Sequence, residues 1–529
     1  MNPPDPVIIV GAGPIGLTTA LGLEFHGIKF AVFEEDETLS LDTKAGTILT
    51  RTLEIFRRFG VADAVLQHAL RVEIIGDIDR ATNLPRNSID TSVLRDETRY
   101  PFVINLPQHH LEPVLAERLA KSRHGAVHMR HRMTALRQSD DHVEVDFQTP
   151  DGTKTVRGSY VLACDGGRSA VRHALGIGVD GFSLDVRYML VDVVVDLDVA
   201  NPRDYPYLAY FADPVEWMIL VRHPHCWRFL FPLPPDAPEP GIDELRAKVL
   251  HFIGETSDLS VIGKVIYRVH HRVAEEWRRG RALLMGDAAH LITPMWALGL
   301  NTGALDASSL PWRLAWVLRG WAGEALLDGY VREQRPIAVN GSGEMAEAAR
   351  KAMSKNTDAD PLAASSAWGT AATRCLLGVR LDVDGVGDSA MTIMDRGPPR
   401  VGDRVPDWLL HGADGALHRL HDLIDGAFLA LYFSDVRRRP PIPDRDNPAL
   451  RHRAVSRWDA PLDGGLRPRC LFDPGDSLFS RFGCAAETCV LIRPDEHIAA
   501  IAPIRPGIAA ELYVRAVGAA LPALETVGR

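Results

Sequence analysis

The sequence predicts an α/β protein whose parallel sheet is interrupted by an antiparallel sheet and followed by a second α/β unit. Three observations carry this expectation. The β-branched run Val7-Ile8-Ile9-Val10 leads directly into the turn Gly11-Ala12-Gly13-Pro14-Ile15-Gly16. Between about residues 180 and 275, alternating strands punctuated by proline replace that pattern, until RALLMGDAAH (281–290) resumes it. After Pro406-Asp407 the apolar runs FLALYF and TCVLIRP begin a further unit.

A continuous apolar run is what a parallel strand covered on both faces requires. The helix after the turn carries Leu17, Ala20, Leu21 and Leu23 and stops at Gly27, and a second strand, Phe30 to Phe33, ends at Glu34. Within the turn, Gly11 permits the tight bend, Gly13 lets the backbone approach a pyrophosphate, and Gly16 allows close helix packing, with Pro14 between them. Glu34 can accept from ribose hydroxyls. Strand, turn, helix, strand and terminal acid occur in order, so the segment predicts dinucleotide binding.

Leu49, Leu53, Ile55, Phe56 and Phe59 predict a helix ending at Gly60, with Lys44 before it, free to reach an anion. Residues 107–119 predict an amphipathic helix with Leu111, Val114, Leu115 and Leu119 inward and Gln108 in its first turn. Alternation in VHMRHRMTALRQ and HVEVDFQ around Pro150-Asp151-Gly152 predicts a β-meander with an Asp-Gly hairpin. YVLAC returns to the core sheet and ends in Asp165-Gly166-Gly167-Arg168-Ser169, a second strand-to-helix junction suited to phosphate or ribose. MLVDVVVDLDV, WMILVRH and WRFLFPL belong to the inserted sheet, so a cleft should lie between that sheet and the bound nucleotide. From Asn301 to about residue 350 the pattern is helical, and residues 355–400 form a loose connection. The expected boundaries are 1–75, 106–178 and 277–355 for the nucleotide-binding domain, 76–105 and 179–276 for the sheet domain, 356–400 for a linker and 401–529 for the last unit.

At 529 residues the chain is too long for one ordinary core. Its 24% charged and 46% hydrophobic residues are those of a globular α/β protein. A net charge of −10, spread along the chain, argues against nucleic acid as a partner, and Arg437-Arg438-Arg439 before two prolines reads as a solvated loop. No apolar run approaches the roughly 20 residues that span a bilayer, and the chain enters a strand at Val7, so a cytoplasmic protein without membrane contact is expected. Six scattered cysteines lack a CxxC, and His223, His225 and Cys226 lack a second ligand cluster, so no metal is expected.

Taken in order, GAGPIG, CDGGRSAVR and LLMGDAAH resemble the ADP-binding turn, DG motif and GD motif of the group A flavoprotein aromatic hydroxylases, which fold like para-hydroxybenzoate hydroxylase. The likeness covers roughly residues 5–345. The tail, from VGDRVPDWLL to CVLIRPDEHIAAI, is similar to the thioredoxin-like unit of phenol hydroxylase and 3-(3-hydroxyphenyl)propionate hydroxylase. Without a CxxC, a structural or dimer-forming role is expected for it. The resemblance therefore implies an FAD-binding Rossmann-like domain, an inserted antiparallel β-sheet substrate domain and a thioredoxin-like C-terminal α/β domain, in a homodimer.

It also implies site residues. Gly11, Gly13 and Gly16 would hold pyrophosphate, Glu34 the adenosine ribose, and Gln108 the flavin. Asp287 would bind the ribityl chain, with Pro294, Gly299, Leu300 and Asn301 along the isoalloxazine ring. Asp165 and Arg168 would touch FAD and the NAD(P)H path. Two positions depart from the family. Lys44 stands where arginine is common and lacks its planar fork, and Ala297-Leu298-Gly299 replaces a Gly-Gln-Gly turn beside the flavin.

The implied reaction is reduction of FAD by NADH or NADPH, formation of a flavin C4a-hydroperoxide with dioxygen, and hydroxylation of a small phenolic or related aromatic substrate. Tyr210, Trp217, Arg222 and Trp296 are candidates for the substrate pocket, with His110 as a proton relay. Hydroxylation of a bulky polyketide or antibiotic, or a flavin-dependent dehydrogenase or reductase without oxygen transfer, are the alternatives.

Overall fold

The computed structural model describes residues 5–41, 46–82, 84–197, 205–213, 216–254, 259–353, 379–383, 390–391, 397–413, 415–434, 440–457, 469–473, 475, 477–484 and 487–523. Lys44, Cys375, the Arg437-Arg438-Arg439 run and most of the 356–400 segment lie outside them.

The first sheet has six strands in the order Arg278–Arg279, Ala282–Leu284, Tyr160–Ala163, Val7–Val10, Phe30–Phe33, Gly125–His128, all parallel except the first. Its central strands are sealed on both faces, with Val7, Ile8, Ile9, Val161 and Leu162 wholly buried. The helix Pro14–Phe25 begins with proline at its first turn, where a missing N–H costs nothing. Gly11 has a φ of 103°, and a Cβ there would stand 2.4 Å from the Cys164 carbonyl oxygen, so no other residue fits between the first and second motifs' strands.

The predicted meander is shorter than its alternation suggests. VHMRHRMTALRQ divides: Gly125–His128 pairs in parallel with Phe30–Phe33 in the first sheet, and only Arg132–Gln138 pairs with Val143–Thr149 and Gly152–Gly158. Arg130, at φ 60°, breaks the run between the two. Alternation registers a strand but not which sheet it joins.

The inserted sheet has eight strands, in the order His290–Leu291, Ser260–Ala274, Val179–Val194, Trp227–Leu233, Met218–Arg222, Leu208–Ala212, Ile74–Asp79, Pro85–Asp90. Its alternating residues divide cleanly. Met189, Val191, Phe211, Leu220 and Phe229 pack beneath the helix Ile242–Ile253 through Leu245, Val249 and Phe252. Leu190, Leu208, Tyr210, Ile219, Val221 and Leu230 form the other face. His290–Leu291 follows directly on the Gly286–Ala288 turn, so the first domain and the inserted sheet are joined by a strand pair at the cleft.

The helix Leu298–Leu318 is buried along most of its length and carries the third unit on its far half. That unit is a seven-stranded mixed sheet, with Phe428–Phe433 at its core and Ile498–Pro503 at one edge. Trp312 and Trp316 meet Phe428 edge-on at 5.7 and 6.0 Å, and the Trp316 indole N–H donates to the Tyr513 hydroxyl at 2.9 Å. Around them lies a buried charge network. Arg51 and Arg404 bond Glu54, Arg51 also bonds Glu496, and Arg493 bridges Glu333 and Asp495. Glu54, His421 and Glu496 approach one another closely enough to suggest metal ligands, but both carboxylates are already committed to guanidiniums. Among the described residues no helix is long and apolar enough to cross a membrane.

Candidate cofactor and substrate cleft

A cavity of about 690 Å³ opens between the first sheet and the Leu190–Tyr210 face of the inserted sheet. Gly11, Gly13, Pro14 and Glu34 line it from the first motif, and Asp165 and Arg168 from the second. Asp287, Pro294, Gly299 and Leu300 reach it from the third, joined by Gln108 and Tyr210. Three sequence segments more than a hundred residues apart thus converge on one space.

At the nucleotide end, a Cβ built on Gly13 would meet no atom within 4 Å, so that backbone lies open to a ligand. Gly13 is also the N-cap of the Pro14–Phe25 helix, whose unpaired N–H groups and dipole favour an anion. Glu34 sits at the strand end with its carboxylate accepting from the Ala12 N–H at 2.7 Å and the Asp36 N–H at 3.1 Å. Gly16 does not line the cavity. A Cβ there would lie 2.0 Å from the Gly11 carbonyl oxygen, so its contribution is helix packing.

At the second junction, one Asp165 oxygen accepts from the Val171 N–H at 3.1 Å while the other is buried without a partner among the described residues. Burial pushes that carboxyl up from its ordinary range despite the bonds from the Ser169 and Val171 side. Arg172 ties this junction to the third, donating to the carbonyls of Gly167 at 2.7 Å and Ala288 at 2.9 Å. The third turn has its own support. Asp306, wholly buried on the long helix, accepts from the Gly286 N–H at 2.9 Å and pairs with His290 Nε2 at 2.8 Å, leaving Asp287 exposed at the cavity mouth.

A strand-end carboxylate, a helix N-terminus, a half-buried acid with one oxygen left unpartnered among the described residues and a second acidic turn follow one another along the cleft. This donor set fits the ribose, pyrophosphate and ribityl groups of FAD, with Gln108 and the Pro294–Leu300 turn left for the ring. Arg172 and Asp306 escaped the sequence reading because their partners lie in other segments. Only a basic residue three positions after Arg168's serine and an acid inside an apolar helix marked them.

Four candidate pocket residues sit elsewhere than expected. Arg222 points to the opposite side of its strand from Val221 and His223; it donates to the His223 carbonyl at 3.1 Å and lies over the Trp227 ring at 5.3 Å. Trp217 is buried edge-on against Tyr188 at 5.1 Å, away from the cavity. His110 is exposed, its ring tilted against that of His109 at 4.2 Å, and does not line the cleft. Trp296 stands behind the cavity wall, on Tyr210. Asn301 is likewise a correction, because its amide is spent on the protein. It accepts from the Leu49 N–H and Thr52 hydroxyl at 2.9 and 2.7 Å, and donates to the carbonyls of Thr47 and Ala297 at 3.1 and 2.7 Å.

Beyond Tyr210 the cavity is bounded by Leu190, Leu208, Ile219, Val221 and Leu230, an apolar compartment beside the turn at Pro294. Arg228 and His223 stand among the basic groups that line it. Arg228 is held by Asp192 at 2.8 Å, and burial, then the nearby Arg228 charge, keep His223 neutral well below the usual histidine range. Both His223 ring nitrogens lack partners among the described residues, and the ring lies against Gly46, where a Cβ would be 2.4 Å from it.

Comparison with known proteins agrees with this geometry. A family model described as FAD binding domain matches residues 5–341. A 3-(3-hydroxy-phenyl)propionate/3-hydroxycinnamic acid hydroxylase of Mycolicibacterium smegmatis is 35% identical over 346 residues, covering 64% of this chain and 60% of that protein, so the chain matches less than two thirds of that relative's length. Para-nitrophenol 4-monooxygenase of a Pseudomonas species is 31% identical, over 63% of this chain and 83% of the relative. Among solved structures, a flavin-dependent monooxygenase in complex with FAD and substrate superposes with a TM-score of 0.83 at 24% identity, covering 98% of this chain and 99% of that one.

Proposed function

The chain belongs to the FAD binding domain family of flavoprotein hydroxylases and monooxygenases, and from that premise we propose that it hydroxylates a small phenolic or related aromatic substrate, using FAD, NADH or NADPH, and dioxygen. The observation that carries this reading is that the dinucleotide-fitting cleft continues, without a wall, into the apolar compartment on the inserted sheet. Bound FAD would supply electron uptake from NAD(P)H and activation of oxygen.

The protein's own residues supply binding and exclusion of water. Gly11, Gly13 and Pro14 would hold the pyrophosphate, Glu34 and Asp287 the sugar and ribityl hydroxyls, and Asp165 with Arg168 the second phosphate-side contact. Tyr210 and the surrounding aliphatic side chains would orient the aromatic ring beside Pro294, keeping water from the reacting carbon. Gln108, tied to Glu112 at 2.7 Å, would fix one edge of the flavin. A homodimer in the cytoplasm completes the proposal; sedimentation of the purified protein tests the dimer.

The deciding experiment is oxygen-18 labelling. Purified protein, reduced by NADH or NADPH under labelled dioxygen with a panel of phenols, is expected to give a hydroxylated product carrying one labelled oxygen. Oxidation of NAD(P)H with only hydrogen peroxide released, for every phenol, would instead leave a flavin reductase.

A further inference from the structure

Two consecutive residues beside the cleft, Trp296 (φ 62°, ψ 16°) and Ala297 (φ 55°, ψ 30°), occupy the left-handed region that favours glycine. A bulky indole in that conformation is strained backbone and persists only where its surroundings over-determine it. Here two contacts do so. From below, the Asn301 amide holds the Ala297 carbonyl at 2.7 Å and anchors the turn to Leu49 and Thr52. From above, the Trp296 ring lies against Tyr210 with centroids 4.8 Å apart and planes inclined by 33°.

Tyr210 lines the cavity and Trp296 does not; the indole is packed behind it with Met295 and Leu298 in the buried cluster of the inserted sheet. A tyrosine in a strand can normally retreat to another rotamer when a ligand presses on it. With the indole filling the space behind, that retreat is closed. Glycine at 296 would relax the backbone and vacate a volume into which Tyr210 could swing.

We propose that Trp296 is a positioning residue that sets substrate size: by backing Tyr210 it makes that ring a fixed wall and confines the compartment to one-ring aromatic compounds. This rests on the hydroxylase reading above and assigns its substrate class. The strained turn is thus the site at which selectivity is imposed, through Tyr210 and not by direct contact.

The test is calorimetric binding of 4-nitrophenol and of the longer 4-phenylphenol to flavin-loaded parent protein, Trp296→Gly, Trp296→Phe, Tyr210→Leu and the Trp296→Gly/Tyr210→Leu double variant. The parent is expected to prefer the one-ring phenol. In Trp296→Gly the ratio of the two Kd values should move toward the longer phenol by about tenfold, while Trp296→Phe, which keeps a ring behind Tyr210, stays within about threefold of the parent. Tyr210→Leu should move the ratio similarly, and the double variant no further than either single one, because both remove the same wall. Equal weakening of both phenols in Trp296→Gly, or additive shifts in the double variant, would overturn the assignment. If Trp296→Gly fails to fold, an unchanged ratio in Tyr210→Leu does the same. Failure of the parent to bind either phenol would count against the hydroxylase reading itself, a result distinct from parent binding without a change of ratio in the variants.

Discussion

Asn301 shows how a residue adjacent to a site can matter without touching a ligand. Its single amide makes four hydrogen bonds that fasten the cofactor-side turn to the start of the Thr50–Arg58 helix. Asn301→Ala leaves buried backbone groups unpaired and is expected to cost about 2–3 kcal/mol, read as a lowered Tm of the flavin-loaded protein. Asp287 is the opposite case: it is exposed on a turn whose shape Asp306 maintains, so Asp287→Ala should lose flavin on gel filtration while its circular dichroism stays that of the parent. Full flavin occupancy in that variant would remove Asp287 from the site. The packing of Gly11 and Gly16 was legible, because a Cβ at either would collide with neighbouring backbone. His223 was not, since nothing local distinguishes a buried imidazole facing a cleft from one in a core.

At the scale of elements, the inserted sheet divides its side chains by simple alternation, and the position of Arg222 follows from that parity. Val221 and His223 face the cleft, so Arg222 faces the Ile242–Ile253 side, over Trp227. Arg222→Ala is therefore expected to leave the KM for the proposed phenolic substrate within about twofold of the parent, with only a modest loss of stability from the missing ring contact. A tenfold rise in KM would return Arg222 to the pocket. The strands themselves were legible from alternation and proline, as was the hairpin at Asp151-Gly152. Their partners were not, which is why Gly125–His128 joins the parallel sheet rather than the meander.

Across the whole molecule, the third unit is held by buried charge as well as by the Trp312 and Trp316 contacts. Burial pushes the Glu54 carboxyl up, but the Arg404 and Arg51 guanidiniums and the His421 ring outweigh it and hold it at about 2. Glu496, pressed up by burial, is held well below its usual range by His421, Arg58, Arg51 and Arg57. Groups depressed in this way contribute stability that is complete above the ordinary value of 4.5 and is lost as pH falls toward about 2. Thermal melts between pH 6 and pH 3 should accordingly be flat at the upper end and fall steeply below 4.5. Glu496→Gln, which strands buried guanidiniums, is expected to cost about 3–5 kcal/mol. Deletion from residue 401 would uncover the long helix that also carries Asn301 and Asp306, so flavin binding should fall with it. A truncated protein that keeps its flavin would mark the unit as dispensable to the site.

The sequence by itself determined the glycine turns, the acidic strand ends, the interrupted α/β order and the cofactor class, because each rests on local backbone geometry or on periodicity within one segment. Tertiary structure alone decided which side chains face the cleft, that Asp306 and Arg172 brace the turns, and that the last unit is locked on by buried ion pairs. The physical reason is that burial and pairing are properties of contacts between distant segments. The first glycine motif fixes a conformation, whereas the Trp296–Tyr210 ring contact exists only once segments distant in sequence have packed together.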